Sequence, residues 1–268
     1  MDFKEIDARG LVILGCGKMG SAMLKGWLDG GLSPKAVHVQ DPYPSDWVES
    51  TGVNVNGALP DAPALVLIAV KPQMMTEALP ALQSYGGGET LFVSVAAGTS
   101  LATYGQILGL ETPVIRAMPN TPAAIGQGIT AIVGSQASTD AYMDLAEGLL
   151  AAIGKTVRLA HEGQMDAVTG LSGSGPAYVF HMIECMAAAG QAQGLPPEMA
   201  MELASATVAG AGQLALGDET PEQLRINVTS PNGTTQAGLE VLMDSLPSLM
   251  RATVRAATER SKELSRDG

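Results

Sequence analysis

Short apolar runs, each bounded by glycine, proline or polar residues, dominate the first 160 residues of the chain. They lie at 11–14, 36–40, 64–70, 90–95, 114–118, 129–133 and 156–159. The run 64–70 is apolar at every position, which is typical of parallel strands that are covered on both faces. Apolar residues recurring every three or four positions predict helices over 18–29 and 139–153. The pattern predicts an α/β domain with a doubly wound, Rossmann-type sheet.

From residue 160 onward the strand signals stop, and Gly, Ala and Ser occupy much of the predicted helix interior. Pro176 lies just inside a predicted helix start at Ser174 or Gly175, where its missing N–H costs nothing. Small side chains let helix axes approach closely. We therefore predict a sheet domain over 1–160 and an all-α domain over 161–268, and we expect the second domain to build a homo-oligomer.

The first predicted strand runs directly into Gly15-Cys-Gly-Lys-Met-Gly20, and a helical pattern follows. Gly15 suits a tight turn, Gly17 allows close approach of a pyrophosphate, and Gly20 lets the helix pack on the strand. The free N–H groups at the helix start would face the phosphates. Glycines at this spacing also occur in ordinary strand-to-helix turns, but the flanking strand and helix favour a dinucleotide site.

Asp41 ends the second predicted strand, about 20 residues after the glycine-rich turn, as a dinucleotide fold requires. An acid there accepts hydrogen bonds from a ribose 2′-hydroxyl and repels a 2′-phosphate. Residues 40–70 contain no Lys or Arg to offset that repulsion. We therefore predict that NADH is used at least comparably to NADPH. The alternative, an aspartate that only caps a turn, stays open.

Three later strands end in small or polar loops, at Lys71-Pro-Gln73, Ala96-Ala-Gly-Thr99 and Pro119-Asn-Thr-Pro122. Ligands of doubly wound sheets bind at the carboxyl ends of the strands. Each loop alone is weak evidence, since Lys71 could be a solvated lysine and Asn120 a turn former. Their shared position makes the loops candidates for ligand binding.

A second candidate site lies in the segment 227–236, NVTSPNGTTQ, which predicts a β-turn over 230–233 followed by a helix start. Backbone N–H groups, the hydroxyls of Ser230, Thr234 and Thr235 and the positive end of a helix would converge there. Such a point suits a small carboxylate. Plain helix capping explains one of these hydroxyls but explains all three less well.

Composition disfavours several other classes of function. With 15 basic against 27 acidic residues the formal net charge is -12, which disfavours nucleic acid as a partner. Two cysteines, Cys16 and Cys185, are too few for a disulfide framework or a zinc site, and we predict no metal. The charged first ten residues lack the apolar segment of a signal peptide, and no apolar run approaches the ~20 residues that span a bilayer. We expect a cytoplasmic protein.

Several of these motifs, in the same order, resemble those of the pyrroline-5-carboxylate reductase family, which catalyses the last step of proline biosynthesis. The most specific segments are DAVTGLSGSGPAY at 166–178 and NVTSPNGTT at 227–235. The weaker matches are GCGKMG at 15–20, AVKP at 69–72, VAAG at 95–98 and RAMPNTP at 116–122. The resemblance covers nearly the whole chain.

The resemblance implies an oxidoreductase that reduces 1-pyrroline-5-carboxylate to L-proline by hydride transfer from NADPH or NADH. The residues expected to bind NADP or NAD are Gly15, Cys16, Gly17, Lys18, Met19, Gly20, Asn56, Ala69, Val70, Lys71, Pro72, Val95, Ala96 and Ala97, together with Asp41 at the end of the second strand. The residues expected to bind the substrate are Glu162, Asn227, Ser230, Gly233, Thr234 and Thr235, with Thr235 as the catalytic partner of the ring nitrogen.

Two positions depart from the family pattern. Asn232 stands where the family has the second glycine of the turn, and asparagine tolerates the positive φ that a type II turn needs there. Asp41 stands in a region where many relatives that prefer NADPH carry an uncharged or basic residue.

Two alternative functions stay open at this point. Another two-domain NAD(P)-dependent reductase, such as a 3-hydroxyacid dehydrogenase, would be expected to place a catalytic lysine in its helical domain. No lysine occurs between Lys155 and Lys262. The other alternative is a dinucleotide-sensing protein without catalytic activity.

Overall fold

The structure is a computed structural model that describes residues 3–267, without the side chains of residues 72, 76, 266 and 267. The chain divides into two compact units. The first, here called the sheet unit, comprises residues 1–173 and 257–268. The second, the helical unit, comprises residues 174–256.

The sheet unit contains one sheet of eight strands. They are β1 (Leu11–Leu14), β2 (Val37–Gln40), β3 (Asn54–Val55), β4 (Leu65–Ile68), β5 (Leu91–Ser94), β6 (Val114–Met118), β7 (Gly128–Gly134) and β8 (Gly154–Arg158). Their order in space is β3-β2-β1-β4-β5-β6-β7-β8. All neighbours are parallel except β6 and β7. The predicted Rossmann-type sheet is confirmed, and the antiparallel pair at β6 and β7 makes it a mixed sheet.

Within residues 3–173, seven α-helices precede the strands, connect them or, in the case of α7, follow the last strand. They are α1 (Lys4–Arg9), α2 (Lys18–Asp29), α3 (Asp46–Ser50), α4 (Met75–Ala78), α5 (Leu101–Leu108), α6 (Asp140–Leu150) and α7 (Met165–Val168). Short 3₁₀ turns fill several connections, and a π-helical turn spans Thr169–Gly173. The two-residue strand β3 and the short helices α1 and α3 are too brief to produce a periodic apolar pattern, and the sequence analysis did not predict them.

The sheet has a hydrophobic core on each face. Alternate residues of a strand point to opposite faces, so Leu65 and Leu67 of β4 join one core and Val66 and Ile68 join the other. This arrangement explains why the strand is apolar at every position. Both cores therefore hold the carboxyl ends of the central strands in fixed positions.

The helical unit contains α8 (Gly175–Ala192), α9 (Pro197–Leu214), α10 (Pro221–Asn227) and the first part of α11 (Thr234–Asp267). Pro176 lies in the first turn of α8, as predicted. Helices α8 and α9 pack through small residues: a Cβ added at Gly190 would lie 3.5 Å from Cβ of Ala200. The predicted close approach of the helices is present.

The division between the units falls after Gly173, whereas the sequence analysis placed the domain boundary after residue 160. Residues between these positions pack within the sheet unit. Ser172 accepts weak hydrogen bonds from the Asn120 amide, and a Cβ on Gly173 would lie 2.6 Å from Cε of Met118. The last turns of α11 also return to the sheet unit, where Ser261 donates to Asp166. Among residues 3–267, no helix has the length and apolar character needed to cross a membrane.

Candidate active site

The glycine-rich turn after β1 is closed by close contacts that only glycine permits. Gly15 has a φ of 81° and donates its N–H to the Gln40 carbonyl at 2.8 Å. A Cβ on Gly15 would lie 2.8 Å from Cγ1 of Val70. A Cβ on Gly20 would lie 2.8 Å from the Gly15 carbonyl oxygen, so Gly20 lets α2 pack against the turn. The steric roles expected of the first and third glycines are therefore present.

Gly17 differs from the other two glycines because it borders open space. No heavy atom lies within 4 Å of the Cβ that another residue would carry there. Gly17 is the N-cap of α2, it supplies no side-chain cap, and the first turn of the helix has no acidic residue. The geometry fits a pyrophosphate, since phosphate oxygens can accept from backbone N–H groups at such a helix start. Lys18 is exposed beside this position, and Met19 packs against the core.

Cys16 takes part in the turn through its backbone. Its side chain is buried, with Sγ 3.6 Å from the Ser21 hydroxyl. Burial raises the pKa of the Cys16 thiol, with a smaller opposing contribution from the Ser21 hydrogen bond. A buried, protonated thiol is a poor nucleophile, so Cys16 has a packing role. Its backbone N–H donates to Oδ2 of Asp41 at 2.6 Å.

Asp41 is connected to the glycine-rich turn and to its own loop. Oδ2 accepts from Cys16, and Oδ1 accepts from the backbone N–H of Tyr43 at 2.8 Å. The turn-capping role left open by the sequence is therefore observed. The second role, hydrogen bonding to a ribose, stays a prediction.

Asn56 holds the backbone of Asp41. Its Oδ1 accepts from the Asp41 N–H at 3.0 Å, and its Nδ2 donates to the Asp41 carbonyl at 2.8 Å. Asn56 has a φ of 51°, in the left-handed region that asparagine tolerates better than most residues. The Asn56 side chain thus holds the backbone of Asp41, the residue predicted to bind the ribose. Asn56 could therefore support cofactor binding indirectly, by positioning Asp41.

The other candidate cofactor loops follow β4 and β5, the next two strands of the sheet beyond β1. Backbone hydrogen bonds between neighbouring strands continue into these loops. The N–H of Ala69 donates to the Leu14 carbonyl at 2.8 Å, and the N–H of Val95 donates to the Ile68 carbonyl at 2.9 Å. Ala96 is buried, whereas Lys71 and Ala97 are exposed. Val70, another predicted cofactor residue, is half-buried. The side chain of Pro72 lies outside the described part of the structure. The sheet thus brings the predicted cofactor residues to one edge.

Arg116 is a buried charged residue that the sequence analysis did not single out. It lies on β6 with its side chain 11% exposed, and its Nη1 donates to Oε1 of Glu162. The same oxygen accepts from the Leu101 N–H at 2.7 Å. A lone arginine inside the apolar strand VIRAM was the signal that could have indicated a buried charge here, although not its partner. Glu162 belongs to the sheet unit, and the substrate contact that the resemblance implies for it stays a prediction.

The second candidate site is a turn in the helical unit. The N–H of Gly233 donates to the carbonyl of Ser230 at 3.0 Å, and Asn232 has a φ of 56°. The expected turn with a positive φ at Asn232 is confirmed. A Cβ on Gly233 would lie 2.5 Å from the Ser230 Oγ and 3.0 Å from the Ser230 carbonyl oxygen, so a larger residue would force the Ser230 hydroxyl to move.

Thr234 and Thr235 follow as the first two residues of α11. Ser230 and Thr234 are exposed and Thr235 is half-buried. The turn is braced by Gln236, whose Oε1 accepts from the Asn232 N–H at 2.8 Å. The turn and the helix start that the sequence predicts are thus both present, and the convergence of the three hydroxyls on one ligand stays a prediction.

Asn227, at the end of α10, has an engaged side chain. Its Oδ1 accepts from Nε2 of Gln223 at 2.7 Å, and its Nδ2 donates to Oε2 of Glu219 at 3.0 Å. These bonds stiffen the segment that leads into the turn. The direct substrate contact expected of Asn227 stays a prediction.

Comparisons with known proteins bear on both sites. Residues 162–264 match a family model described as pyrroline-5-carboxylate reductase dimerisation, and residues 10–98 match one described as NADP oxidoreductase coenzyme F420-dependent. The pyrroline-5-carboxylate reductase of Pseudomonas aeruginosa is 37% identical over 267 residues, covering 95% of this chain and 96% of that protein.

Two solved structures show the same similarity. A pyrroline-5-carboxylate reductase from Coxiella burnetii has a TM-score of 0.89 at 31% identity, covering 96% of this chain and 98% of that chain. The Plasmodium falciparum pyrroline carboxylate reductase, solved with NADP bound, has a TM-score of 0.82 at 26% identity, covering 97% and 99% of the two chains. The similarity thus extends over both units.

Proposed function

This chain belongs to the pyrroline-5-carboxylate reductase family, and from that premise we propose that it reduces 1-pyrroline-5-carboxylate to L-proline with NADPH or NADH. The observation that carries the proposal is the 37% identity to a curated reductase over 95% of the chain. The alternative of a 3-hydroxyacid dehydrogenase has no comparable support. A sensing protein without catalysis is distinguished by a direct assay of turnover.

The glycine-rich turn supports the cofactor assignment. When bound, the reduced nicotinamide supplies a hydride to the C=N carbon of the substrate. The chain would hold the pyrophosphate at Gly17 and the start of α2, and would orient the rest of the cofactor with the loops after β4 and β5. The protein then contributes mainly orientation and charge stabilisation.

The turn 230–233 and the start of α11 support a carboxylate site. Their N–H groups and the Ser230 hydroxyl would hold the substrate carboxylate, and Thr235 would hydrogen-bond the ring nitrogen. As the carbon gains the hydride, the nitrogen gains a proton and becomes the amine of proline. A hydroxyl oriented at that nitrogen is most useful in the transition state.

We also infer that the chain forms a homodimer or a higher homo-oligomer through the helical unit. The family model that matches residues 162–264 describes the dimerisation region of pyrroline-5-carboxylate reductases. Large apolar side chains are exposed on three of the helices of this unit, for example Phe180 at 60%, Leu203 at 51% and Val241 at 74%. A second copy of the chain would cover them.

A spectrophotometric assay tests the proposed function. Purified protein is mixed with 1-pyrroline-5-carboxylate and NADPH or NADH, absorbance of the reduced nicotinamide is followed, and proline is quantified at the end. We expect loss of the reduced cofactor and formation of proline in equal amounts. Binding of dinucleotide without proline formation would instead support a sensing protein.

A further inference from the structure

A charged pair, Arg116 buried and Glu162 half-buried, lies next to the loop that follows β5. Arg116 is opposite Ser94 in the register of β5 and β6, and only 9% of its surface is exposed. It donates to Glu162 Oε1, which also accepts from the N–H of Leu101. Leu101 is the first residue of α5, so the pair holds the point where the loop 95–100 ends.

The other end of the same loop is held from within the sheet. The Ser94 Oγ accepts from the Ala96 N–H at 3.2 Å and lies 2.6 Å from the hydroxyl of Tyr104. Tyr104 is fully buried on α5. The loop is therefore fixed at its start by Ser94 and Tyr104 and at its end by Glu162. Residues 95–97, which lie between these two points, are the candidate cofactor residues.

We propose that Arg116 is a positioning residue for cofactor binding, acting through Glu162 on the loop 95–97. The Arg116 guanidinium orients the Glu162 carboxylate, and the carboxylate fixes the N-terminus of α5. The N-terminus of α5 in turn sets the position of the loop 95–97, which would face the dinucleotide. Charge-assisted hydrogen bonds are the strong ones, so losing the arginine should leave the carboxylate poorly oriented. The inference rests on the proposed function only in taking 95–97 as a cofactor loop.

The test compares dinucleotide binding and kinetics in Arg116→Met and Arg116→Lys. For Arg116→Met we expect the NADPH Kd and KM to rise about tenfold, the order of one hydrogen bond to a charged group, with kcat changed much less. Arg116→Lys restores a cation and should recover binding to within about threefold of wild type. A general loss of folded protein would lower kcat without this selective effect on the cofactor.

Arg158→Met is the matched control. Arg158 also pairs with carboxylates, those of Glu147 and Asp144, but its side chain is 36% exposed and lies on β8. Because exposed pairs contribute little, we expect the NADPH Kd to stay within about twofold of wild type. If Arg116→Met and Arg158→Met raised the NADPH Kd equally, the effect would come from removing any cation and not from the pair of Arg116 with Glu162.

Glu162→Gln keeps the test decisive if Arg116→Met does not fold. The amide retains an oxygen for the Leu101 N–H but lacks the charge, so we expect the NADPH Kd to rise about three- to tenfold. If instead Glu162→Gln raised the KM for the imine substrate and left the NADPH Kd unchanged, Glu162 would be a substrate ligand. The inference would then be wrong. An unchanged Kd in folded Arg116→Met would also overturn it.

Binding is measured by NADPH fluorescence without the imine, which separates this inference from the proposed function. A wild-type protein that binds NADPH but forms no proline would contradict the function. The Arg116 variants would still report whether the pair positions the loop.

Discussion

The two units of this chain bury hydrophobic residues very differently. In the sheet unit, large side chains such as Trp27 and Phe92 are fully buried in the cores on the two faces of the sheet. In residues 174–256, all of which the structure describes, the buried hydrophobic residues are Ala187, Ala200 and Ala204. The sheet unit therefore has a core of its own, whereas many large apolar side chains of the helical unit are exposed in this chain.

Both units nevertheless build their candidate sites in the same way. Each presents a tight turn that contains glycine, at Gly15 or Gly233, within three residues of the start of a helix. Helix starts attract anions because their N–H groups lack partners within the helix. The two units thus use similar local geometry at their candidate sites although only the sheet unit buries large apolar side chains. Mutations should therefore affect stability mainly in one unit and assembly mainly in the other.

The largest effect is expected from Trp27→Ala in the sheet unit. Trp27 is 1% exposed, and its Nε1 donates to the Leu149 carbonyl at 2.8 Å. Removing it creates a cavity and takes one of two donors from the Leu149 carbonyl, so the free energy of unfolding should fall by about 3–5 kcal/mol. Thermal or denaturant unfolding measures this, and the change should not depend on protein concentration.

Trp47→Ala is the matched control, since Trp47 is 37% exposed on α3. We expect a smaller loss, about 1–2 kcal/mol, because more than a third of this residue is already exposed to water. Equal losses at the two tryptophans would contradict the view that the sheet unit is stabilised by its own core.

The next largest effect is expected from Thr235→Ala in the helical unit. This change removes a hydroxyl but keeps the backbone donors of the turn, so the substrate carboxylate should still bind. Positioned hydrogen-bond partners contribute about 10² to 10⁴-fold, and we expect a loss in kcat at the lower end, roughly 3 kcal/mol. Steady-state kinetics with saturating 1-pyrroline-5-carboxylate measures it.

Thr235→Ser restores a hydroxyl and should recover most of kcat, while Ser230→Ala should act mainly on KM. If folded Thr235→Ala bound dinucleotide normally and kept kcat within about threefold, under 1 kcal/mol, Thr235 would be only a helix residue. The site in the helical unit would then lack its proposed catalytic partner.

Much of the sheet unit could be predicted from the sequence because its signals are local. A strand such as 64–70 is apolar throughout, and the glycine spacing of the turn after β1 is readable within six residues. The turn at Asn232 was predictable in the same way, since asparagine tolerates the required φ better than most residues.

The parts that were missed depend on contacts between residues distant in sequence. Arg116 and Glu162 are 46 positions apart, and no local pattern indicates that they pair. The amide of Asn56 faces the backbone of Asp41, 15 positions away, which the motif alone does not reveal. The end of the sheet unit after Gly173 also depends on long-range packing, since residues 161–173 have no strand pattern of their own.

A third, smaller effect is expected when charge is placed on the apolar surface of the helical unit. Phe180→Asp replaces a side chain that is 60% exposed on α8. If a second copy of the chain buries Phe180, the change loses about 2 kcal/mol of apolar burial per side chain and adds a charge that must be desolvated. Sedimentation at micromolar concentration should show a shift toward the 27.5 kDa monomer.

Leu110→Asp places the same charge at a 78% exposed position of the sheet unit and should leave assembly unchanged. A wild-type protein that was monomeric and fully active at micromolar concentration would contradict the proposed oligomer. In that case the exposed apolar residues of the helical unit would need another explanation.

The smallest effect is expected at Asp41, and it concerns cofactor preference. One negative charge repels another about 6 Å away by roughly 1 kcal/mol where solvent raises the effective dielectric to about 50. Asp41→Asn should therefore raise the NADPH-to-NADH ratio of kcat/KM by about fivefold to tenfold. We expect the wild type to use NADH at least comparably to NADPH, although the P. falciparum structure contains NADP. Kinetics with both cofactors measures the ratio.

Asp41→Asn is a sharper test than Asp41→Ser because of the contacts that the carboxylate makes. Its two oxygens accept from the backbone of Cys16 and Tyr43. Asparagine removes the charge and keeps the side-chain length, but its NH2 cannot accept, so one of these two backbone bonds is lost. Serine also shortens the side chain and should loosen the glycine-rich turn more, for both cofactors. If Asp41→Asn left the ratio unchanged while Asp41→Ser weakened both cofactors equally, Asp41 would be only a cap of the turn. A large NADPH advantage in the wild type would likewise remove the proposed repulsion as a determinant of cofactor choice.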